Sequence, residues 1–134
     1  MPLSSDEKKT AKEFFLNLQK SYSKVLEKID GTTTFKEKSW TRTGGGGGEM
    51  LTLRGKVIEK AGVNVSEVFG DNYPQMEEKY SKKPFYATGL STICHMYNPF
   101  APIAHMNVRL IEVGDDFWFG GGADLTPMQE FGED

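Results

Sequence analysis

FYATGLSTICHMYNPFAPIAHMNVRLIEV, residues 85–113, is the stretch of sequence that decides the fold. It contains two runs rich in β-branched and aromatic residues, 85–95 and 104–113, on either side of a connection that includes Asn98-Pro99. Such runs are typical of β-strands, and an Asn-Pro pair between them marks a turn. The segment therefore predicts two antiparallel strands joined as a hairpin around residues 97–103.

A long helix is predicted before this hairpin. Ser4 and Glu7 have the spacing of a capping box, and Gly31 can end the helix in the left-handed conformation. Between them, residues 5–30 repeat apolar side chains every three or four positions. The predicted apolar stripe consists of Ala11, Phe14, Phe15, Leu18, Tyr22, Val25, Leu26 and Ile29.

Short strands are predicted for most of the remaining sequence. They cover residues 34–41, 49–54, 57–60, 63–68 and 117–120, with a helical turn near 75–80 inside the connection 70–84. Because helices do not alternate with these strands, the fold class is α+β with a mainly antiparallel sheet. We expect residues 1–134 to form a single domain.

Polar side chains alternate along the second strand of the hairpin. His105, Asn107 and Arg109 share one face, while Met106 and Val108 belong to the other. An imidazole, an amide and a guanidinium in one row indicate a binding site, although a solvent-exposed outer face gives the same pattern.

The hairpin also brings the two histidines of the chain together if its register is symmetric. That register places His95 opposite His105 and Ser91 opposite Arg109, whereas a slip of two residues would separate them. Two neighbouring histidines can bind a divalent metal, but two ligands are too few for a tight site.

Two glycine-rich segments have different interpretations. Gly120–Gly122 leave the backbone bare for a ligand, with Asp124 presented beside them, or they form a tight turn in which Asp124 caps a following helix. The run Gly44–Gly48 predicts a flexible loop that can fold over a ligand. It lacks the Gly-Lys-Ser/Thr of a phosphate-binding loop, so no nucleotide site is predicted.

Composition narrows the possible partners and compartment. A net charge of −3 over 134 residues gives no general attraction to nucleic acid. Cys94 is the single cysteine, which excludes an internal disulfide and fits a reducing compartment. Without a signal sequence or a long apolar segment, the expectation is a cytoplasmic protein that is not integral to a membrane.

Several segments together resemble oxygen-dependent coproporphyrinogen III oxidases, in order and along nearly the whole chain. The matching segments are FFLNLQ at 14–19, GGGGE before 50–54, EKAGVNVSEV at 59–68, ATGLS at 87–91, His95 with Asn98-Pro99, HMNVR at 105–109 and WFGGGADLTP at 118–127.

This resemblance implies a fold and a reaction. Such enzymes are homodimers with a large antiparallel sheet flanked by helices and a porphyrinogen cleft between sheet and helices. They convert coproporphyrinogen III and molecular oxygen to protoporphyrinogen IX, carbon dioxide and hydrogen peroxide, without an organic cofactor. By the same resemblance, His105 is the proton donor, and Arg109 and Asp124 are catalytic, with Asp124 facing the pyrrole N–H groups.

The resemblance assigns further site residues as well. Substrate-binding residues are Ser91, Asn107, Val108 and Arg109, and His95 with His105 match the ligands of a divalent metal. Because family members continue well beyond residue 134, we expect a chain truncated after about half of the family fold and inactive by itself. The alternative is a non-catalytic remnant that binds a tetrapyrrole or a partner chain.

Overall fold

A computed structural model describes residues 2–74 and 78–129. In the described residues one helix, α1 (Ser5–Asp30), precedes six strands. They are β1 (Lys36–Thr41), β2 (Gly46–Leu53), β3 (Ile58–Gly70), β4 (Phe85–Met96), β5 (Ile103–Val113) and β6 (Asp116–Thr126), with a 3-10 turn at Glu78–Tyr80 between β3 and β4. Every strand is antiparallel to its neighbour in the order β1-β2-β3-β4-β5-β6. The predicted α+β class and antiparallel sheet are confirmed.

Helix α1 begins and ends as its sequence predicts. Ser4 and Glu7 form the reciprocal capping box, and Gly31 has a φ of 74°, which only glycine adopts readily. The predicted apolar stripe is buried only in part: Phe15 and Leu26 lie in the core, and Ala11, Leu18 and Tyr22 pack against it. The side chains of Phe14, Val25 and Ile29 are more than half exposed, and the buried positions are Phe15, Gln19, Ser23, Leu26 and Asp30.

Polar groups fix α1 to the sheet. The Gln19 side-chain amide donates to the backbone oxygens of Glu49 and Val63, at 2.8 and 3.0 Å. At the end of the helix, the Asp30 carboxylate accepts hydrogen bonds from Thr32 and from the backbone N–H groups of Val57 and Ile58. These bonds, led by that from the Thr32 hydroxyl, lower the pKa of Asp30 to about 2, so it is ionised at neutral pH.

The sheet has two unlike faces. The face beneath α1, here called the helix face, contains the hydrophobic core, with Leu53, Ala61, Val63, Val65, Leu90, Cys94 and Leu110 buried there. The opposite face, here called the open face, has no helix packed on it among the described residues. Side chains alternate between the two faces along each strand, so the register decides which residues meet on the open face.

Three of the predicted strand boundaries are wrong, each at glycine. Residues 57–60 and 63–68 form one strand, β3, because Gly62 pairs with both Thr52 and Ile93 and continues the ladder. Strand β6 does not end at Gly120 but continues to Thr126, since its glycines pair with Asn107, Val108 and Arg109. A glycine in the sequence is compatible both with a turn and with a strand interior, and pairing with a neighbouring strand decides between the two.

The glycine run is also mostly strand. Gly46, Gly47 and Gly48 belong to β2, although a flexible loop was expected. A Cβ at Gly47 would lie 2.2 Å from the Trp40 backbone oxygen, and one at Gly48 would lie 2.4 Å from the Val65 oxygen. These glycines therefore permit close approach of the neighbouring strands. Residues 75–77 of the expected helical turn lie outside the described residues.

Candidate functional site on the open face

Strands β4, β5 and β6 bring most of the expected site residues together. The pairing places Ser91 opposite Asn107, and Asn107 opposite Gly122. Arg109 lies between Gly89 and Gly120, one pair further along the same strands. All of these residues belong to the open face, so the predicted row of polar side chains on β5 is confirmed.

His105 and Asp124 form a direct pair across β5 and β6. The His105 Nδ1 atom lies 2.9 Å from Asp124 Oδ2, and the Thr126 hydroxyl donates to Asp124 Oδ1 at 3.1 Å. The hydrogen bond from His105, followed by that from Thr126, holds the pKa of Asp124 below its ordinary value. An ionised carboxylate only accepts, so Nδ1 carries the proton and Nε2 is left for a ligand.

Arg109 is a guanidinium with bare backbone on both sides. Its side chain is exposed, and it has no ion pair or hydrogen bond within the described residues. A Cβ added to Gly120 or Gly122 would meet no atom within 4 Å, so the space above these glycines is empty. A planar ligand can thus lie on the strand with an acidic group at the guanidinium.

A cavity of about 820 Å³ opens above Arg109. Asn107 and Arg109 lie on its floor together with the glycines of β6, and aromatic side chains border it, among them Tyr73, Tyr80, Phe85 and Trp118. Its size falls within the roughly 300–1,000 Å³ of typical small-molecule sites. The sequence analysis missed these aromatic residues, although Trp118 has the same strand parity as Gly120 and that signal places it on the same face.

Val108 is oriented away from this cavity. It is packed against the core on the helix face, as the alternation along β5 requires. Only its backbone is available on the side of Arg109, so a substrate in this cavity would meet the backbone of Val108 and not its side chain. The substrate-binding role of Val108 stays a prediction.

The symmetric register of the hairpin is wrong by two residues. Ile93, not His95, is opposite His105, and Asn107, not Arg109, is opposite Ser91. Beyond the last β4–β5 pair, Tyr97 donates its N–H to the Val57 oxygen, so the end of β4 turns toward the β2–β3 connection. Inside the turn, Asn98 accepts from Phe100 through its side chain and from Ala101 through its backbone oxygen. Strand parity does not distinguish the observed register from the symmetric one, because a slip of two residues keeps every side chain on the same face.

The metal site expected at His95 and His105 lacks enough ligands. No group of three or more His, Cys, Asp or Glu side chains that could hold a metal occurs among residues 2–74 and 78–129. His95 pairs with Lys60 of β3, and His105 Nδ1 is already bonded to Asp124. These residues alone do not fit a divalent metal, and no chemical step is drawn through one.

Comparison with known proteins places the chain in a family. The family model described as coproporphyrinogen III oxidase matches residues 10–134. The chain belongs to the coproporphyrinogen III oxidase family. It is 44% identical to an oxygen-dependent coproporphyrinogen-III oxidase of Prochlorococcus marinus (strain MIT 9515), over 97% of this chain and 39% of that protein. It is 43% identical to the protein of the same name from Parasynechococcus marenigrum (strain WH8102), over 96% and 37%.

The chain thus spans about two fifths of the length of the curated coproporphyrinogen III oxidases it matches. Three of the segments that carry the resemblance, at 87–91, 105–109 and 118–127, lie on the adjacent strands β4, β5 and β6, the last of them as far as residue 126. These segments contain the polar residues of the open face. No helix within the described residues has both the length and the apolar character needed to cross a bilayer.

Proposed function

We propose that the chain provides the substrate-binding face for oxygen-dependent oxidative decarboxylation of coproporphyrinogen III to protoporphyrinogen IX. The observation that carries the proposal is the cross-strand set on the open face. It combines Arg109 and the hydrogen-bonded pair His105–Asp124 with glycines that leave room for a macrocycle. Four residue steps along β5 separate His105 from Arg109 by about 13 Å, a distance on the scale of a tetrapyrrole with its side chains.

The overall reaction defines what these residues must do. Each reacting propionate loses carbon dioxide and becomes a vinyl group, and one molecule of oxygen accepts two electrons and two protons to give hydrogen peroxide. The two electrons leave the propionate, which loses a hydrogen at the carbon next to the ring and its carboxylate. The electron-rich pyrrole passes these electrons to oxygen, so no organic cofactor is required, and oxygen is the co-substrate. The protein must hold the carboxylates, orient the ring and move protons.

Each residue fits one of these tasks. Arg109 can bind a propionate with both arms of its guanidinium. Asp124 keeps unused lone pairs that can accept a pyrrole N–H, and its bond to Nδ1 orients His105 for proton transfer at Nε2. Ser91 and Asn107, adjacent on the same face, can hydrogen-bond a second polar group of the substrate.

Binding of coproporphyrin III, the stable oxidised form of the substrate, tests the proposal. Its fluorescence changes on titration with the chain should saturate, and Arg109→Ala should weaken binding by about tenfold or more because a charge-assisted bond to a carboxylate is lost. Lys38→Ala is the matched control, since it removes a cation from the open face on β1, four strands away from β5. Equal loss in both variants, or no binding by the wild type, would refute the proposal.

A tetrapyrrole-binding protein without turnover is the second candidate. The His105 side chain is 37% exposed and that of Asp124 is 55% exposed, whereas stabilisation of developing charge requires a site closed to water. We therefore expect the chain alone to bind coproporphyrinogen III and to form no protoporphyrin under oxygen. Turnover by the chain alone would reject this candidate. Homodimer formation, implied by the resemblance, and a cytoplasmic location, expected from the sequence, stay predictions.

A further inference from the structure

One side of the cavity is a continuous set of aromatic rings, here called the aromatic wall: Tyr73, Tyr80, Phe85 and Trp118. The Tyr80 and Trp118 ring centroids lie 5.5 Å apart with the planes tilted by 35°. Tyr73 is 6.3 Å from Tyr80 and 5.8 Å from Phe85. All four residues line the cavity above Arg109. The wall thus joins the β3–β4 connection to the beginning of β6.

The aromatic wall is held in place by polar contacts behind it. The Tyr80 hydroxyl donates to Asp116 Oδ2 at 3.1 Å, and Lys79 Nζ lies 3.4 Å from the same oxygen. These contacts, Tyr80 first, lower the pKa of Asp116, which is therefore ionised at neutral pH. Because its hydroxyl is bonded to Asp116, Tyr80 presents a fixed ring and not a free hydroxyl to the cavity.

The cavity offers little compensation for negative charge. Arg109 is the one charged side chain among the described residues that line it. Val68, Ala87 and Ile111 add apolar surface between the guanidinium and the wall. Arg42 lies over the Phe85 ring, but it donates to the Gly45 and Phe69 oxygens and does not line the cavity. Lys79 lies over the Tyr80 ring, with its ammonium 5.1 Å from the ring centroid, but it is paired with Asp116 and does not line the cavity. A single carboxylate can be paired by Arg109, whereas a second one placed against the wall would lose water without gaining an unpaired cation.

We infer that Tyr80 and Trp118 determine specificity by selecting tetrapyrroles whose rim carries methyl groups beside the propionates. The inference rests on the proposed function and adds the structural basis of ligand specificity. Coproporphyrin has one methyl and one propionate on each pyrrole. Uroporphyrin has an acetate in place of each methyl, so its rim brings carboxylates against the aromatic wall. The wall accepts the methyl groups through dispersion and burial and disfavours the acetates.

Parallel titrations with coproporphyrin III and uroporphyrin III test the inference. A Trp40→Phe background leaves Trp118 as the reporting tryptophan, so quenching of its emission locates the porphyrin at the wall. We expect coproporphyrin III to quench this emission and to bind about tenfold or more tighter than uroporphyrin III, on the scale of one buried aromatic contact.

Substitutions in the wall should then reduce the preference. Tyr80→Leu and Trp118→Leu are expected to weaken coproporphyrin III binding about five- to tenfold and to narrow the gap to uroporphyrin III, whereas Trp118→Phe, which keeps a ring, retains most of it. Phe117→Leu is the matched control, because it removes a neighbouring ring of β6 that is on the helix face. Circular dichroism establishes that each variant folds.

The outcomes separate this inference from the proposed function. If the leucine variants keep the wild-type preference, or if bound coproporphyrin III leaves Trp118 emission unchanged, the wall does not determine specificity, and Arg109-dependent binding still supports the proposed function. If the wild type binds neither porphyrin, both fail. Equal effects of Phe117→Leu and Trp118→Leu would also overturn the inference, since they would indicate a general change in β6.

Discussion

Neighbouring glycines in β6 differ in whether the surrounding protein leaves room for a side chain. A Cβ at Gly121 would lie 2.5 Å from the Asn107 backbone oxygen, so this glycine is required by the packing of β6 on β5. Gly120 and Gly122 meet nothing within 4 Å. Neither the packing nor a positive φ requires glycine at those two positions. Their missing side chains are therefore explained better by a ligand on the open face than by the fold.

This difference predicts opposite results for two alanine substitutions. Gly122→Ala should leave the free energy of unfolding unchanged or raise it by up to about 1 kcal/mol, because glycine is the less favourable residue in a strand. It should nevertheless weaken coproporphyrin III binding. Gly121→Ala, the matched control, should lower stability through its backbone clash. Urea denaturation and fluorescence titration measure the two effects, and unimpaired binding by Gly122→Ala would contradict a ligand at this glycine.

At the scale of residues, the sequence predicts which side chains share a strand face but not which strands bring them into contact. His105, Asn107 and Arg109 follow from alternation along β5 alone. The bond between His105 and Asp124 depends on β6 continuing through three glycines, and that continuation depends on its pairing with β5. The local pattern of glycine, aspartate and proline is equally compatible with a turn in which Asp124 caps a helix.

At the scale of elements, α1 is attached to the sheet by polar groups as much as by apolar ones. Gln19 and Ser23 both lie on its buried face, one turn apart. Gln19 bonds two strands, whereas the Ser23 hydroxyl has no hydrogen-bond partner among the described residues. The two side chains are equally buried, but only Gln19 is expected to stabilise the packing of α1 on the sheet.

The two side chains should respond differently to removal. Gln19→Leu should lower the free energy of unfolding by about 1–3 kcal/mol, because the bonds to Glu49 and Val63 are lost from a buried site. Ser23→Ala should be neutral or slightly stabilising, since it removes a hydroxyl that pays for desolvation without a bond. Urea denaturation followed by circular dichroism compares them. A larger loss for Ser23→Ala would show that the bonds of Gln19 do not attach the helix.

The existence of each element follows from sequence more readily than its register. Caps and periodicity locate α1 and the hairpin strands correctly. The β4–β5 register differs by two residues from the symmetric one, and such a slip keeps every side chain on the same face, so the alternation pattern does not reveal it. The exposed Phe14, Val25 and Ile29 show the same limit. Periodicity finds an apolar stripe but not how much of it a neighbour covers.

At the scale of the whole molecule, much apolar surface beside α1 is uncovered. The groove between α1 and β6 measures about 940 Å³, which is at the upper end of the roughly 300–1,000 Å³ of typical small-molecule sites. Phe14 on the helix and Phe119 on the strand line it, with 62% and 70% of their surfaces exposed. Strand β6 is also an edge strand within the described residues. An apolar groove next to an unpaired edge favours association with other chains.

Self-association through this surface is therefore expected and can be tested by adding charge. Phe119→Lys combined with Leu125→Lys places two cations on the helix face of β6, where both side chains are about 70% exposed and bury little on folding. The substitutions should leave the monomer folded and reduce concentration-dependent association severalfold, measured by sedimentation velocity. Thr34→Lys adds a charge at an exposed position outside the groove and serves as the control. If the control reduces association as much as the double variant does, the reduction is due to the change in net charge, and the groove does not mediate association.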